Sequence, residues 1–311
     1  MNNTNPKTNH HYIPVFYLNG FTNSSGTLWV YDKDDKGLFE SSPEGIAYEK
    51  HYFSFIDSQG VRDSETIENS MSEIEGIFAS VVKKILNRDE LSKEDNINFA
   101  LFVSSMMVRV PNMRENIRES TGEVIKRVGL NLSSDKDSFK KMIESYENDT
   151  EKKIGMSTEE FRQYMLNKDN YTIDVNPQYA TGMALSLLED FAKIFFHMKW
   201  RFIKATDDYK FMTGDNPLRY IDPAHNPHSF YGVGLANKNI EVTFPLSKDM
   251  AAFGGWERSA GYFQGNNQHV KHINRMTVIA SRRFMFAHNK SENVDKFVKK
   301  YRGSHPVIKV G

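Results

Sequence analysis

The 311 residues predict an α+β protein, with a mixed or antiparallel sheet built from strands at the two ends of the chain and a helical bundle inserted between them. Three observations predict it. Short aromatic and β-branched segments punctuated by Gly, Pro, Asn and Asp fill residues 9–60 and 200–311. Residues 61–199 instead repeat apolar residues at helical spacing. Isolated hairpins are marginal in water, so the N-terminal strands are expected to join the C-terminal ones in a single sheet. The organisation that follows is a flexible tail over residues 1–8 and one α+β domain over 9–311.

The elements read in order. In "NHHYIPVFYLNGF", Pro14 suits a first helical turn, and Pro14, Tyr17, Leu18 and Phe21 share a face until Gly20 and "TNSSG" end it. "TLWVYDK" and "LFESS", separated by a turn at "KDDKG", read as a hairpin. Ile67, Met71, Ile74, Phe78, Val81 and Ile85 form an unbroken apolar seam. A second helix, opened by Ser92 and Asp95, carries Phe99, Val103, Met106 and Val110 until Pro111 interrupts it. "KDSFKKMIESYEN" and "STEEFRQYMLN" are shorter amphipathic pieces, the second opening on a capping box of Ser157 and Glu160. A long central helix is expected over 176–199, with Ala184, Leu188, Phe191, Phe195 and Met198. Beyond Trp200, "WRFIKA", "YKFMTG", "IEVTFPL" and "MAAFGG" read as strands, "NNQHVKHINRMTVIAS" as a helix, "RFMFAH" as a strand and "VDKFVKKY" as a last helix.

Composition narrows the function classes. Forty basic residues balance forty acidic ones, which removes the usual argument for a nucleic-acid module while leaving room for a small basic groove. The chain has no cysteine, so disulfides, thiolate metal sites and a cysteine nucleophile are excluded. No apolar run reaches the roughly 18 residues of a membrane span, and "MNNTNPKTN" does not read as a signal peptide; a cytoplasmic protein without membrane partner is expected.

Several fragments together resemble one family. "HHYIPVFYLNGF" resembles the start of the bacterial domain-of-unknown-function family 4238, which begins His-Tyr-x-Pro-x-Phe-Tyr-Leu with a Phe three residues on; here these are His11, Tyr12, Pro14, Phe16, Tyr17, Leu18 and Phe21. "VRVPNMRE" is similar to its Arg-x-Pro-x-x-Arg segment, although Val110 precedes Pro111. "MTGDNPL" is similar to its Ser-Asp-Asn-Pro strand end, with Gly214 where serine is usual; "FPLSKD" and "HINRMTV" match later segments. The set runs from His11 to Arg283. By its name the family carries no assigned activity, so the resemblance implies a fold neighbourhood only.

Candidate chemistry lies in the same segments. His11 can serve as acid, base or ligand, or as a cap whose ring bonds the backbone; His10, pointing elsewhere, is the weaker candidate. Asp215 follows a strand beside Gly214 and a proline, placed to orient His11, activate water or hold a metal, yet Asp-Asn-Pro is also an ordinary turn. Arg109 at a helix end suits a phosphate or carboxylate clamp, or a structural pairing with Asp215. Asn274 approaches the inward face of its helix. The expectation is a phosphodiester hydrolase, ribonuclease-like, with His11 and Asp215 catalytic and Arg109, Tyr17, Asn216 and Asn274 binding substrate. No metal site is expected, the cofactor is unassigned, and an RNA or other phosphate-containing ligand or a protein is the partner. The alternative is a non-catalytic binding or effector module in stress or phage defence. Three patterns were set aside. Arg283 and His288 have a ribonuclease-like spacing but lie in a strand pattern; "HVKH" reads as a solvated face; and "GVGLAN" lacks a strand-turn-helix context.

Overall fold

The computed structural model describes residues 8–34, 37–225 and 233–304. Residues 1–7 of the expected tail, Asp35 and Lys36 of the hairpin turn, and Gly232 of "GVGLAN" lie outside them. The N-terminal third comprises β1 (Asn9–His11), α1 (Val15–Asn19), β2 (Leu28–Asp32), β3 (Leu38–Ser41), β4 (Tyr48–Lys50), β5 (Phe55–Ile56) and β6 (Arg62–Asp63). The helical part holds α2 (Thr66–Asn87), α3 (Lys93–Val108), α4 (Pro111–Ser134), α5 (Lys136–Thr150), α6 (Thr158–Leu166), α7 (Pro177–Ser186) and α8 (Leu188–His197). The C-terminal part is β7 (Lys199–Lys204), β8 (Thr213–Gly214), β9 (Arg219–Ile221), β10 (Glu241–Ser247), β11 (Met250–Gly255), β12 (Gly261–Gln264), α9 (Asn267–Ala280), β13 (Phe284–Ala287) and α10 (Glu292–Lys300). Among the described residues no helix is long and apolar enough to cross a membrane.

The chain is α+β, and strands from its two ends do join: the hairpin β2–β3 pairs with β13 and β8 in an antiparallel sheet of order β3-β2-β13-β8. It is not a single sheet, however. Residues 199–264 build a second sheet, β12-β7-β11-β10-β9, in which β12 runs parallel to β7 and the other pairs are antiparallel. Both edges of β7 are thereby taken, so the hairpin docks on β13. Two ribbons, β1–β4 and β5–β6, complete the pairing of the described strands.

Caps form where the chain spells them. Ser92 with Asp95 and Ser157 with Glu160 both make reciprocal capping boxes. The helix expected over 176–199 breaks at Leu187, whose N–H bonds to the carbonyls of Ala184 and Leu185 at the end of α7. One helix was not expected. α4 starts on Pro111, so the proline opens a helix here; few of its residues are buried, and Arg118 fixes it to Asp174 and to the Val175 carbonyl. One core then runs from Tyr12, Tyr17 and Phe21 through Phe78, Phe102 and Phe195 to Phe244 and Phe286. A smaller core of Tyr31, Met212, Val278, Met285, Ala287 and Val298 includes a residue of α10.

Candidate functional site

The N-terminal motif folds into a knot between the two sheets. Tyr17, on the buried face of α1, donates its hydroxyl to the Pro245 carbonyl in β10 (2.7 Å) and shares a second bond with Thr213 Oγ1 in β8 (2.7 Å). Its ring stacks on Phe244, 5.6 Å between centroids. One phenol therefore touches a strand of each sheet. Arg109, at the end of α3, is 1% exposed. It donates to Glu75 Oε1 (2.9 Å) and to the His11 carbonyl (2.6 Å).

His11 itself lies in β1, its Nε2 donating to the Glu44 carbonyl (3.1 Å) and its ring edge-on to Tyr48. His10 is buried, and its Nδ1 accepts the Phe53 N–H (2.9 Å). Arg109 and His11 thus meet, but through a backbone carbonyl.

Asp215 sits directly after β8. Its two carboxylate oxygens accept the N–H groups of Arg282 (2.8 Å), Arg283 (2.7 Å) and Phe284 (2.9 Å), which closes the turn into β13. Burial pushes this carboxyl above the ordinary range, while the three N–H groups and the Lys33 ammonium oppose the shift. The charge of Asp215 reaches Tyr12, the neighbour of His11 in the chain: burial first, then Asp215 and Glu49, push its phenol pKa up, and Arg283 lowers it. Gly214 explains its own departure from the family pattern, because a Cβ there would fall 2.0 Å from the Ser281 hydroxyl. A serine oxygen already fills the space.

The two asparagines act as pins. Asn216 donates to the Ala280 carbonyl (2.9 Å), and Asn274 accepts from Met212 N–H (3.0 Å) and donates to the Lys210 carbonyl (2.9 Å). Tyr17, Arg109, Asp215, Asn216 and Asn274 therefore each bond one element to another.

Buried polar atoms without a hydrogen-bond partner occur in several places, at Asn9, Ser105, Arg109 Nε and Asn112 around β1 and α3, and at Arg219 Nε and His288 Nδ1 in the C-terminal part, where two cavities flank α9. On one flank a cavity of about 760 Å³ is lined by Lys210, Lys271, Asn274, Arg275, His288 and Phe297, among others. His288 Nδ1 is buried there without a hydrogen-bond partner. Burial first, then the charge of Lys248, holds this imidazole below its usual pKa. Lys271 Nζ lies 4.5 Å over the Tyr209 ring. On the other flank a cavity of about 340 Å³ is lined by Arg201, Phe253, Arg258, Phe263, His269 and His272. Arg201 covers the Phe263 ring at 4.9 Å and Arg258 the Phe253 ring at 4.6 Å.

Arg219, Thr243, Phe253 and Arg201 are directly opposed across β9, β10, β11 and β7, so their side chains share one face of the sheet. Arg219 has no hydrogen-bonding or ionic partner among the described residues, its Nε is buried, and burial lowers its pKa. Among the described residues no group of three or more His, Asp or Glu side chains could hold a metal ion.

From the sequence, His288 with Arg283 and the His269/His272 pair of α9 were set aside, and Arg219 was not weighed. A signal was present for the helix: "NQHVKHINRMTVIA" contains no acidic residue. Nothing local marked Arg219, because its isolation depends on strand pairing.

A family model described as "Protein of unknown function (DUF4238)" matches residues 9–291. No curated protein matches the chain. No solved structure matches it either. The segments that form the knot, from the His-Tyr-x-Pro-x-Phe-Tyr-Leu run to the strand carrying Phe284, all lie inside the matched span, and the chain belongs to the DUF4238 family.

Proposed function

We propose that the chain binds a phosphate-bearing ligand in the 760 Å³ cavity beside α9 and hydrolyses it as a phosphodiester, with His288 as the acid–base group. The observation that carries this reading is the His288 imidazole, its Nδ1 buried without a partner and its pKa lowered by burial, lining one cavity with Lys271, Arg275 and the Asp249-paired Lys210. A depressed imidazole is a base at neutral pH, and ammonium and guanidinium groups suit a phosphoryl oxygen. Water would form the new P–O bond and pass its proton to His288, while the P–O bond to the leaving group breaks and that oxygen is protonated from solvent. His11, Asp215 and Arg109 serve this reading as the frame that holds the β8–β13 corner and α3 in place. A cytoplasmic location belongs to the same proposal and suits a chain without cysteine.

Hydrolysis of bis(p-nitrophenyl) phosphate tests it. Wild type should turn over, and His288→Gln should lose at least about a hundredfold in kcat/KM; equal rates in the two would remove the reading. The alternative of a non-catalytic effector module rests on one observation, the stripe Val124, Ile125, Val128 and Leu132 on α4, each 45–51% exposed. Loss of a cellular phenotype in Val128→Asp but not in His288→Gln would favour it.

A further inference from the structure

The two cavities described above straddle a single helix. Lys271, Asn274 and Arg275 face the larger one, His269, His272 and Ile273 the smaller, and all six lie within three turns of α9. Between the cavities the solvent side of the helix exposes His269, Lys271, His272 and Arg275, with no carboxylate anywhere along α9. Around both cavities Lys210 is paired with Asp249 and Arg258 with Glu241, which leaves the three cations Arg201, Lys271 and Arg275 against the two carboxylates Asp207 and Asp208. In a chain of zero formal charge this is a local excess. Each cavity also has an aromatic wall: Tyr209 and Phe297 on one side, Phe253 and Phe263 on the other. Phe263 is 36% exposed.

Cationic groups interleaved with ring faces are what a flexible polyanion with planar bases requires, because the backbone follows the charge and each base stacks on a ring. An α-helix is about 10 Å across, so a ligand touching both walls must be longer than a mononucleotide. We propose that α9 is the ridge over which a single-stranded nucleic acid is laid, one base against Phe263 and the following phosphates over Lys271 and Arg275 towards His288. The unpaired guanidinium of Arg219, on the same sheet face as Phe253 and Arg201, adds positive charge beneath that path. This rests on the reading of the His288 cavity as a phosphate site and names its substrate class.

Fluorescence anisotropy with a labelled uridine hexamer, beside competition by uridine monophosphate, tests the ridge. The hexamer should bind at least about tenfold tighter than the monophosphate, with affinity falling as salt rises. Phe263→Ala and Arg275→Glu should each weaken the hexamer about tenfold or more, and Phe263→Ala should leave the monophosphate unchanged. Phe263→Leu, which keeps the apolar contact and removes the ring, should weaken the hexamer too, and the melting midpoint of each variant confirms that it is folded. Hexamer affinity no better than monophosphate, or unchanged by both Phe263 variants, would overturn the ridge while leaving the His288 cavity standing. Binding of neither ligand would sink both readings. Polyglutamate of matched charge competing as well as the hexamer would overturn the ridge as a nucleic-acid site.

Discussion

Two arginines divide this molecule. Arg109, in the knot, is almost wholly buried; Glu75 answers its charge and the His11 carbonyl its second nitrogen, while its Nε, like that of Arg219, is buried without a hydrogen-bond partner. Arg219, on the sheet face near α9, is partly buried and answered by nothing among the described residues. A paired buried charge is an architectural joint, whereas an unpaired one costs stability that a fold tolerates when a ligand supplies the counter-charge. The same contrast holds around them. Asp215, Tyr17, Asn216 and Asn274 spend their polar atoms on backbone and side-chain partners, while His288 keeps a buried nitrogen without one. The family-motif residues sit at joints between elements, and the proposed ligand site lies beside α9.

The sharpest way to break this comparison is at the joints. Asp215→Ala would leave three backbone N–H groups of the turn into β13 without an acceptor. The loss expected is about 3 kcal/mol or more of unfolding free energy by urea titration; a loss within about 0.5 kcal/mol, the range of ordinary surface changes, would show that the turn does not depend on it.

Tyr17→Phe keeps the ring on Phe244 and removes only the hydroxyl shared between β8 and β10. About 1–2 kcal/mol should go, because Thr213 and the Pro245 carbonyl lose their partner in a dry place. A neutral outcome in the same titration would mean that the two sheets are not tied there.

The smallest effect is expected at His288 and appears as a pH dependence. Its folded-state pKa is lowered, so below 6.5 the unfolded chain binds a proton that the folded chain refuses. Stability should therefore fall as pH is lowered from 6.5 towards the depressed folded value, and level off beneath it. His288→Gln should flatten that decline while moving the stability at pH 8 by less than about 0.5 kcal/mol. An unchanged pH profile would return His288 to the ordinary surface.

Much of this was legible before folding. Ser92 with Asp95 and Ser157 with Glu160 are local chemistry, and local chemistry reads directly. The seam of α2 and the pairing of N-terminal with C-terminal strands followed from periodicity and from the weakness of a lone hairpin. α4 was missed because Pro111 reads as a stop and the apolar residues that follow, Val124, Ile125, Val128 and Leu132, stay exposed and face no core; the helix is held by distant partners such as Asp174. The second sheet was hidden because which strand takes the free edge of β7 is a matter of three dimensions.

For the site, the types of the motif residues allow catalysis, and the structure adds the partners that each of them holds. Asn274 illustrates it, since a buried amide was expected to need partners and finds both on the segment carrying Lys210 and Met212. Arg219 and His288 are defined by missing partners, which no linear reading displays.

That Glu75 balances the charge of Arg109, while no ion pair among the described residues reaches Arg219, is probed by unfolding two methionine variants side by side in ligand-free buffer. Arg109→Met should lose about 3 kcal/mol, because Glu75 and the His11 carbonyl are stranded. Arg219→Met should hold or gain up to about 1 kcal/mol, because it removes a charge that nothing balances. Opposite signs, or a loss confined to Arg109, are what the account predicts; equal losses at both positions would contradict it.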